Sequence, residues 1–306
     1  MTLFAPISEG RDDCKAGEAP ARSRASLSRV NTTAASAPSD APLASTRIGE
    51  GSRRVAFLHG LMGRGRNFTG PAKELGDDFT VELIDLPDHG ASPWTDRVDY
   101  REIADRVAAH LRGGLAADGP VHLLGHSMGG KVAMVLALRH PELVDRLIVE
   151  DISPRLSPQA TDEFVHLLGT MLRMDLDAYD SRAEADAAMA EHVHDARVRG
   201  FLLQNLRRTG GHFAWQPNVA MLFEHLREIG SFPDPVVPED PERVFDHPVL
   251  WLAGAESDYV QDEDVPRMKE LFPRVVRVTV RDAGHWLHAD QPEAFVSAVR
   301  TFLTAD

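Results

Sequence analysis

The chain has 306 residues, 43% hydrophobic and 26% charged, enough to bury one large core that carries a sizeable insertion. A formal net charge of -14 excludes the basic surface that a nucleic-acid partner or an anionic membrane requires, and no apolar run reaches the roughly 18 to 20 residues of a membrane span. The one cysteine, Cys14, excludes an internal disulfide, and the opening Met1-Thr2-Leu3-Phe4-Ala5-Pro6 lacks the charged flank and apolar centre of a secretory signal, so the expectation is a cytoplasmic enzyme.

Residues 1–45 are rich in Ala, Ser, Pro, Thr and Arg with few large apolar side chains, which predicts a disordered leader. Its Arg and Ser content suggests a transit peptide, whereas Glu9, Asp12, Asp13, Glu18 and Asp40 oppose one, and a misassigned start codon accounts for it equally well. A first strand near Thr46–Ile48 is followed by strands at Arg54–Leu58, Phe79–Ile84, Val121–Leu124 and Arg146–Glu150. Helices are expected between them at Phe68–Leu75, Tyr100–Leu115 and Met128–His140. Such alternation predicts an α/β fold with a mostly parallel sheet flanked by helices on both faces. From Leu156 to Val244 no strand is predicted, and helices at Glu163–Met174, Arg182–His194 and Pro217–Ile229 make a helical insertion. Alternation resumes with strand His247–Leu252, helix Asp264–Phe272, strand Val275–Val280 and helix Pro292–Leu303. The domain layout is therefore a leader (1–45), a core in two parts (46–154 and 246–306) and an insertion (155–245).

Gly125-His126-Ser127-Met128-Gly129 stands between a predicted strand and a predicted helix. That is the context of a nucleophile elbow, a sharp turn that presents its serine while glycines at the flanking positions avoid a clash. A serine hydroxyl is a poor nucleophile at neutral pH and needs a base. His285, in Asp282-Ala283-Gly284-His285-Trp286, follows the last predicted strand, and parallel strands deliver their C-terminal loops to one edge of the sheet. Most of the 14 histidines must be structural or solvated, and His288 is the nearby competitor. Oxyanion donors are expected from the Met128 amide at the helix start and the Leu61 amide in His59-Gly60-Leu61-Met62-Gly63.

With these motifs, together with Asp88-His89-Gly90-Ala91-Ser92, Glu150-Asp151-Ile152-Ser153-Pro154 and Gly210-Gly211-His212-Phe213-Ala214-Trp215, the chain resembles the α/β-hydrolase superfamily from about Arg54 to Leu303. It is most similar to the small YbfF-type esterases and their mitochondrial relatives. The resemblance implies an α/β-hydrolase fold, a helical cap over the site, no cofactor, and hydrolysis of acyl esters of small molecules.

The acid that orients the histidine has two candidates. Most superfamily members carry it after the next-to-last strand, here Gly254-Ala255-Glu256-Ser257-Asp258-Tyr259-Val260, but the usual acid position falls on Ser257 and Asp258 sits one residue late. Asp151 ends the strand after the elbow helix, where the resembling esterases place an aspartate, and it is preferred. Glu150 beside it should point to the other side of the strand, and Asp88 to Ser92 is read as a structural loop near the site.

The expected activity is a serine esterase working through Ser127, His285 and Asp151. Thioesterase, carbon–carbon bond hydrolase, cofactor-free haloperoxidase and ligand-receptor roles remain as alternatives on the same fold. No metal site is expected, since His192-Val193-His194 and His212 lack metal-ligand spacing. Phe201, Leu202, Phe213, Trp215 and Phe223 are expected to face either the pocket or the insertion's own core. Oligomeric state is left open.

Overall fold

The computed structural model describes residues 41–156 and 158–305, so Cys14 and residues 1–40 of the expected leader lie outside the described residues. The first half alternates as β1 (Ser45–Ile48), β2 (Arg53–Leu58), α1 (Thr69–Leu75), β3 (Phe79–Ile84), α2 (Tyr100–Arg112), β4 (Val121–His126), α3 (Met128–Arg139) and β5 (Val144–Glu150). An insertion follows: α4 (Pro158–Arg173), α5 (Arg182–Ala190), α6 (Ala196–Leu203), β6 (Leu206–Thr209), β7 (His212–Trp215), α7 (Val219–Glu224) and α8 (Leu226–Gly230). The chain then completes the sheet with β8 (Val249–Gly254), α9 (Val265–Leu271), β9 (Val275–Val280), α10 (Leu287–Asp290) and α11 (Pro292–Thr304).

Seven strands form one sheet in the order β1-β3-β2-β4-β5-β8-β9, parallel throughout except for β1, which runs antiparallel to β3. The two faces are built by strand alternation. In β2, Val55 and Phe57 pack with Phe68, Leu75, Phe295 and Val299 from the α1 and α11 side. Ala56 and Leu58 point the other way, to Ile103, Val107, Val132 and Leu136 of α2 and α3. Both faces are covered, which is why the strands read as near-continuous apolar runs. Every residue of α3 from Met128 to Leu138 is buried, so the helix that follows the elbow is held on all sides.

The core takes in residues from the end of the expected leader, since Leu43 is buried and Ser45 opens β1. Helix α2 ends at Arg112 rather than Leu115, where Gly113 and Gly114 stop it. The expected helix Arg182–His194 ends at Ala190, and Pro217–Ile229 divides into α7 and α8 at His225.

The expectation of a strand-free insertion is corrected by the β6–β7 hairpin, in which Thr209 pairs with His212 across Gly210 and Gly211. Both glycines have positive φ, 61° and 94°, as a tight hairpin turn requires. Gly-Gly between two short runs with β-branched or aromatic residues is the sequence signal for such a turn.

Candidate active site

Five of the six parallel strands, all but β8, are followed within four residues of their C-terminal ends by a strained residue. Met62, Asp88, Ser127, Asp151 and Asp282 have φ between 49° and 67°, and they are the positive-φ non-glycine positions among the described residues. Such backbone persists only where surrounding contacts impose it. At Ser127 (φ 52°, ψ -120°) those contacts are close. A Cβ on Gly125 would lie 2.2 Å from the Gly129 carbonyl oxygen, and one on Gly129 would lie 2.4 Å from that of Leu58. The Ser127 amide donates to the Glu150 carbonyl at 3.0 Å, which ties the turn to the end of β5.

His285 stands in the loop after β9, and its Nδ1 lies 2.7 Å from Asp151 Oδ2. Asp151 is fully buried at the end of β5, and its carboxylate also accepts from the Gly254 amide at 2.9 Å and from the Ser257 hydroxyl. The Tyr259 ring stacks on the imidazole at 3.8 Å between centroids, and the other face of the cluster is His126, whose Nε2 lies 2.8 Å from the His285 carbonyl oxygen. Burial holds the His126 ring well below the ordinary imidazole range, so it is neutral and its Nε2–H donates to that carbonyl. Asp258 is exposed and, among the described residues, its carboxylate has no hydrogen-bond partner. The end of β8 thus meets the buried carboxylate with the Gly254 amide, and the loop after it with the Ser257 hydroxyl.

Leu61 and Met128 both line a small cavity with Ser127. Met128 opens α3, where amides have no intrahelical acceptor, and among the described residues the Leu61 amide has no acceptor either. Two histidines hold the Leu61 loop. His59 Nδ1 donates to the Gly60 carbonyl at 2.8 Å and its Nε2 accepts the Leu86 amide at 3.0 Å. His89 Nδ1 donates to the Pro87 carbonyl at 2.9 Å and its Nε2 accepts the Met62 amide at 3.1 Å. Burial lowers their pKa values to about 4 and about 3, which keeps each ring neutral and able both to donate and to accept. The Asp88 to Ser92 loop, read as structural from the sequence, has its structural work in His89.

Ser127 and His285 also line a cavity of about 630 Å³ with Phe68, Leu167, Val198, Phe201 and Trp286. Of the aromatic and apolar residues expected in the insertion, Phe201 faces this cavity and packs on Trp286 at 5.3 Å. Leu202 is buried in the core, and Phe213, Trp215 and Phe223 pack against it. His192, His194 and His212 are exposed on the insertion and do not line the cavity.

The insertion is fastened to the loops below it. Asn205 Nδ2 donates to the Met62 carbonyl at 2.7 Å, the Asn218 amide to the Asp88 carbonyl at 3.0 Å, and the Tyr100 hydroxyl to the Ile229 carbonyl at 2.6 Å. Lys131, one turn into α3, donates to the carbonyls of Gly230 (2.6 Å), Ser231 (2.8 Å) and Arg155 (3.1 Å). Burial and the nearby Arg155 guanidinium push its pKa down to about 7, while three carbonyl acceptors favour the ammonium form. Sequence reasoning passed over Lys131 because a lone lysine in an apolar helix carries no partner pattern.

A parallel sheet with one antiparallel edge, a serine on a strained strand-to-helix turn and a histidine loop after the last strand define an α/β hydrolase. The α/β hydrolase family model matches residues 55–298, and the chain belongs to that family. It is an esterase/lipase-type hydrolase, as its relatives indicate. The zebrafish (Danio rerio) sn-1-specific diacylglycerol lipase ABHD11 is 36% identical over 82% of this chain and 78% of its own length. Esterase YbfF of Escherichia coli is 28% identical over 81% of this chain and 92% of its own. Among solved structures, a marine microorganism esterase is similar with a TM-score of 0.80 at 33% identity, over 85% of this chain and 99% of that one. Among the described residues no helix is long and apolar enough to cross a membrane.

Proposed function

We propose that this protein hydrolyses carboxylic esters by two-step acyl transfer, with Ser127 as nucleophile, His285 as general base and Asp151 as the acid behind it. The observation that carries the reading is the 2.7 Å contact of Asp151 with His285 Nδ1 beside a cavity that His285 shares with the strained Ser127. With Nδ1–H donated to the carboxylate, Nε2 is the nitrogen free to take the serine proton. Ser127 Oγ then attacks the ester carbonyl, and the Leu61 and Met128 amides receive the developing oxyanion. His285 returns the proton to the departing alcohol, and the same base activates water to release the acid.

The insertion acts as a cap on this site. The apolar lining by Phe68, Leu167, Val198, Phe201 and Trp286 supports an ester with an aliphatic acyl chain, in keeping with relatives named as diacylglycerol lipases. No residue role in this scheme calls on a cofactor. The test is a panel of esters of increasing acyl length, with reaction of Ser127 toward a fluorophosphonate probe. Turnover that peaks at one chain length and disappears with Ser127→Ala supports the reading. Undiminished turnover in that variant would overturn it, and probe labelling without turnover of any ester would favour thioester or carbon–carbon substrates.

A further inference from the structure

Next to the proposed triad lies a second constellation that the ester reaction does not use. His126 ends β4, Glu150 ends β5, and His288 lies in α10, three residues beyond His285. His288 donates its backbone amide to Glu150 Oε1 at 3.1 Å, and its Nδ1 lies 2.8 Å from the same oxygen. The other carboxylate oxygen, Oε2, is buried and, among the described residues, has no hydrogen-bond partner, although Glu150 is fully buried. An unpaired buried acceptor is unfavourable, so the group is short of a positive or donating neighbour. One ring nitrogen from each histidine and one carboxylate oxygen lie within 4.8 Å of one another. Both imidazoles line the large cavity, which gives an ion a path from solvent, and Phe68 packs over His288 at 4.4 Å.

Two imidazole nitrogens and one carboxylate oxygen are the donor set of a borderline-soft divalent ion, whereas magnesium and calcium favour all-oxygen sites. Metal–ligand bonds of about 2.0–2.2 Å at tetrahedral angles place ligand atoms roughly 3.4 Å apart. With every pair already within 4.8 Å, the cluster reaches that spacing by shifts of about 1.4 Å at most, with the cavity side left for a water as the fourth ligand. We propose that His126, Glu150 and His288 form a binding site for a divalent transition-metal cation, Zn²⁺ foremost, and that filling it slows turnover.

The coupling follows from shared bonds. His126 holds the His285 carbonyl, the Glu150 carbonyl holds the Ser127 amide, and Asp151 is the residue after Glu150. Drawing the three ligands together therefore pulls on the backbone of all three groups of the proposed triad. A misplacement of about 1 Å at reacting groups is enough for a rate loss on the order of 10².

Binding is measured first and without turnover, by titrating Zn²⁺ into the chelator-washed full-length protein in a calorimeter, with Ser127→Ala and Mg²⁺ as comparisons. One equivalent of Zn²⁺ is expected for wild type and Ser127→Ala, with no heat from Mg²⁺. Glu150→Gln keeps the side-chain size, and His288→Gln tests the ligand nearer the cavity if the first variant does not fold. Each should weaken Zn²⁺ on the order of 100-fold. Absence of binding, or unchanged affinity in a folded variant, would overturn the site and, in the second case, move the ion to exposed histidines such as His192 and His194. The inhibition half rests on the proposed esterase reading. It predicts that stoichiometric Zn²⁺ lowers kcat at least tenfold and that a chelator restores it. Saturated binding with unchanged kcat would overturn that half, whereas lack of any ester turnover would count against the esterase reading and leave the binding result standing.

Discussion

The ends of β5 and β8 lie side by side in the sheet, yet they treat a carboxylate in opposite ways. At β5, Asp151 is wholly buried and meets a backbone amide, a hydroxyl and an imidazole. After β8, Asp258 lies in solvent, and its neighbour Ser257 is the residue that turns inward. A buried carboxylate with its lone pairs satisfied is held at one orientation, whereas a solvated one samples many. In the proposed triad, the loop after β8 supports an acid that the adjacent strand supplies. A single residue of offset is enough for that arrangement, because consecutive side chains leave the backbone in different directions.

The strongest way to break this comparison begins with the proposed nucleophile, which sets the floor for the rest. Ser127→Ala should lower kcat on the order of 10⁶ in an ester assay, by the scale of other serine hydrolases. Asp151→Asn should cost about 10⁴ in kcat because the wrong histidine tautomer is favoured, while Asp258→Asn should change it less than about twofold. Equal losses in the two variants would erase the distinction between the strand ends. Moving the acid sharpens it further: Ser257→Asp placed in the Asp151→Asn background should recover roughly 10² of the lost rate, since Ser257 already contacts the carboxylate oxygen that faces His285. No recovery would mean that the β8 loop supports the acid without being able to replace it.

The same contrast between held and solvated groups appears among the histidines. His59 and His89 are buried and titrate near 4 and 3, well below an unfolded imidazole at about 6.5, whereas His192, His194 and His212 are exposed. As pH falls below about 6.5 the unfolded chain takes up these protons before the folded one does. The stabilisation present at neutral pH is therefore lost on acidification, by about 2 kcal/mol for each buried ring between pH 7 and pH 5. Urea unfolding at the two pH values measures it, and His89→Asn should flatten the difference by about that amount. A smaller loss than that of Asp151→Asn is expected for Ser257→Ala. Loss of one hydrogen bond to the buried carboxylate should lower kcat about tenfold, with KM nearly unchanged.

Ser127 and His285 were legible because each sits in a short motif whose purpose is local: a serine between glycines at a strand-to-helix junction, and a histidine after a terminal strand. The sheet was legible because strands buried on both faces must be apolar along their length. The hairpin in the insertion was not, since its two strands are four residues each and only Gly210-Gly211 marks them. Lys131 and the His126, Glu150 and His288 cluster also escaped notice. Their partners come from distant parts of the chain: Gly230 for the lysine, and His288 in α10 for the glutamate.

By itself the sequence determined the alternation of strands and helices, the elbow, and which serine and histidine reach the same edge of the sheet, because periodicity and turn chemistry are properties of neighbouring residues. Of the two candidate acids, the sequence preferred Asp151 on its loop position and left Asp258 open. Only the tertiary structure decided which of them lies against the imidazole, what supports it, and which side chains of the insertion face the cavity. Those outcomes depend on register between strands and on directions of side chains brought together across more than a hundred residues, as with Asp151 and His285, separated by 134 positions.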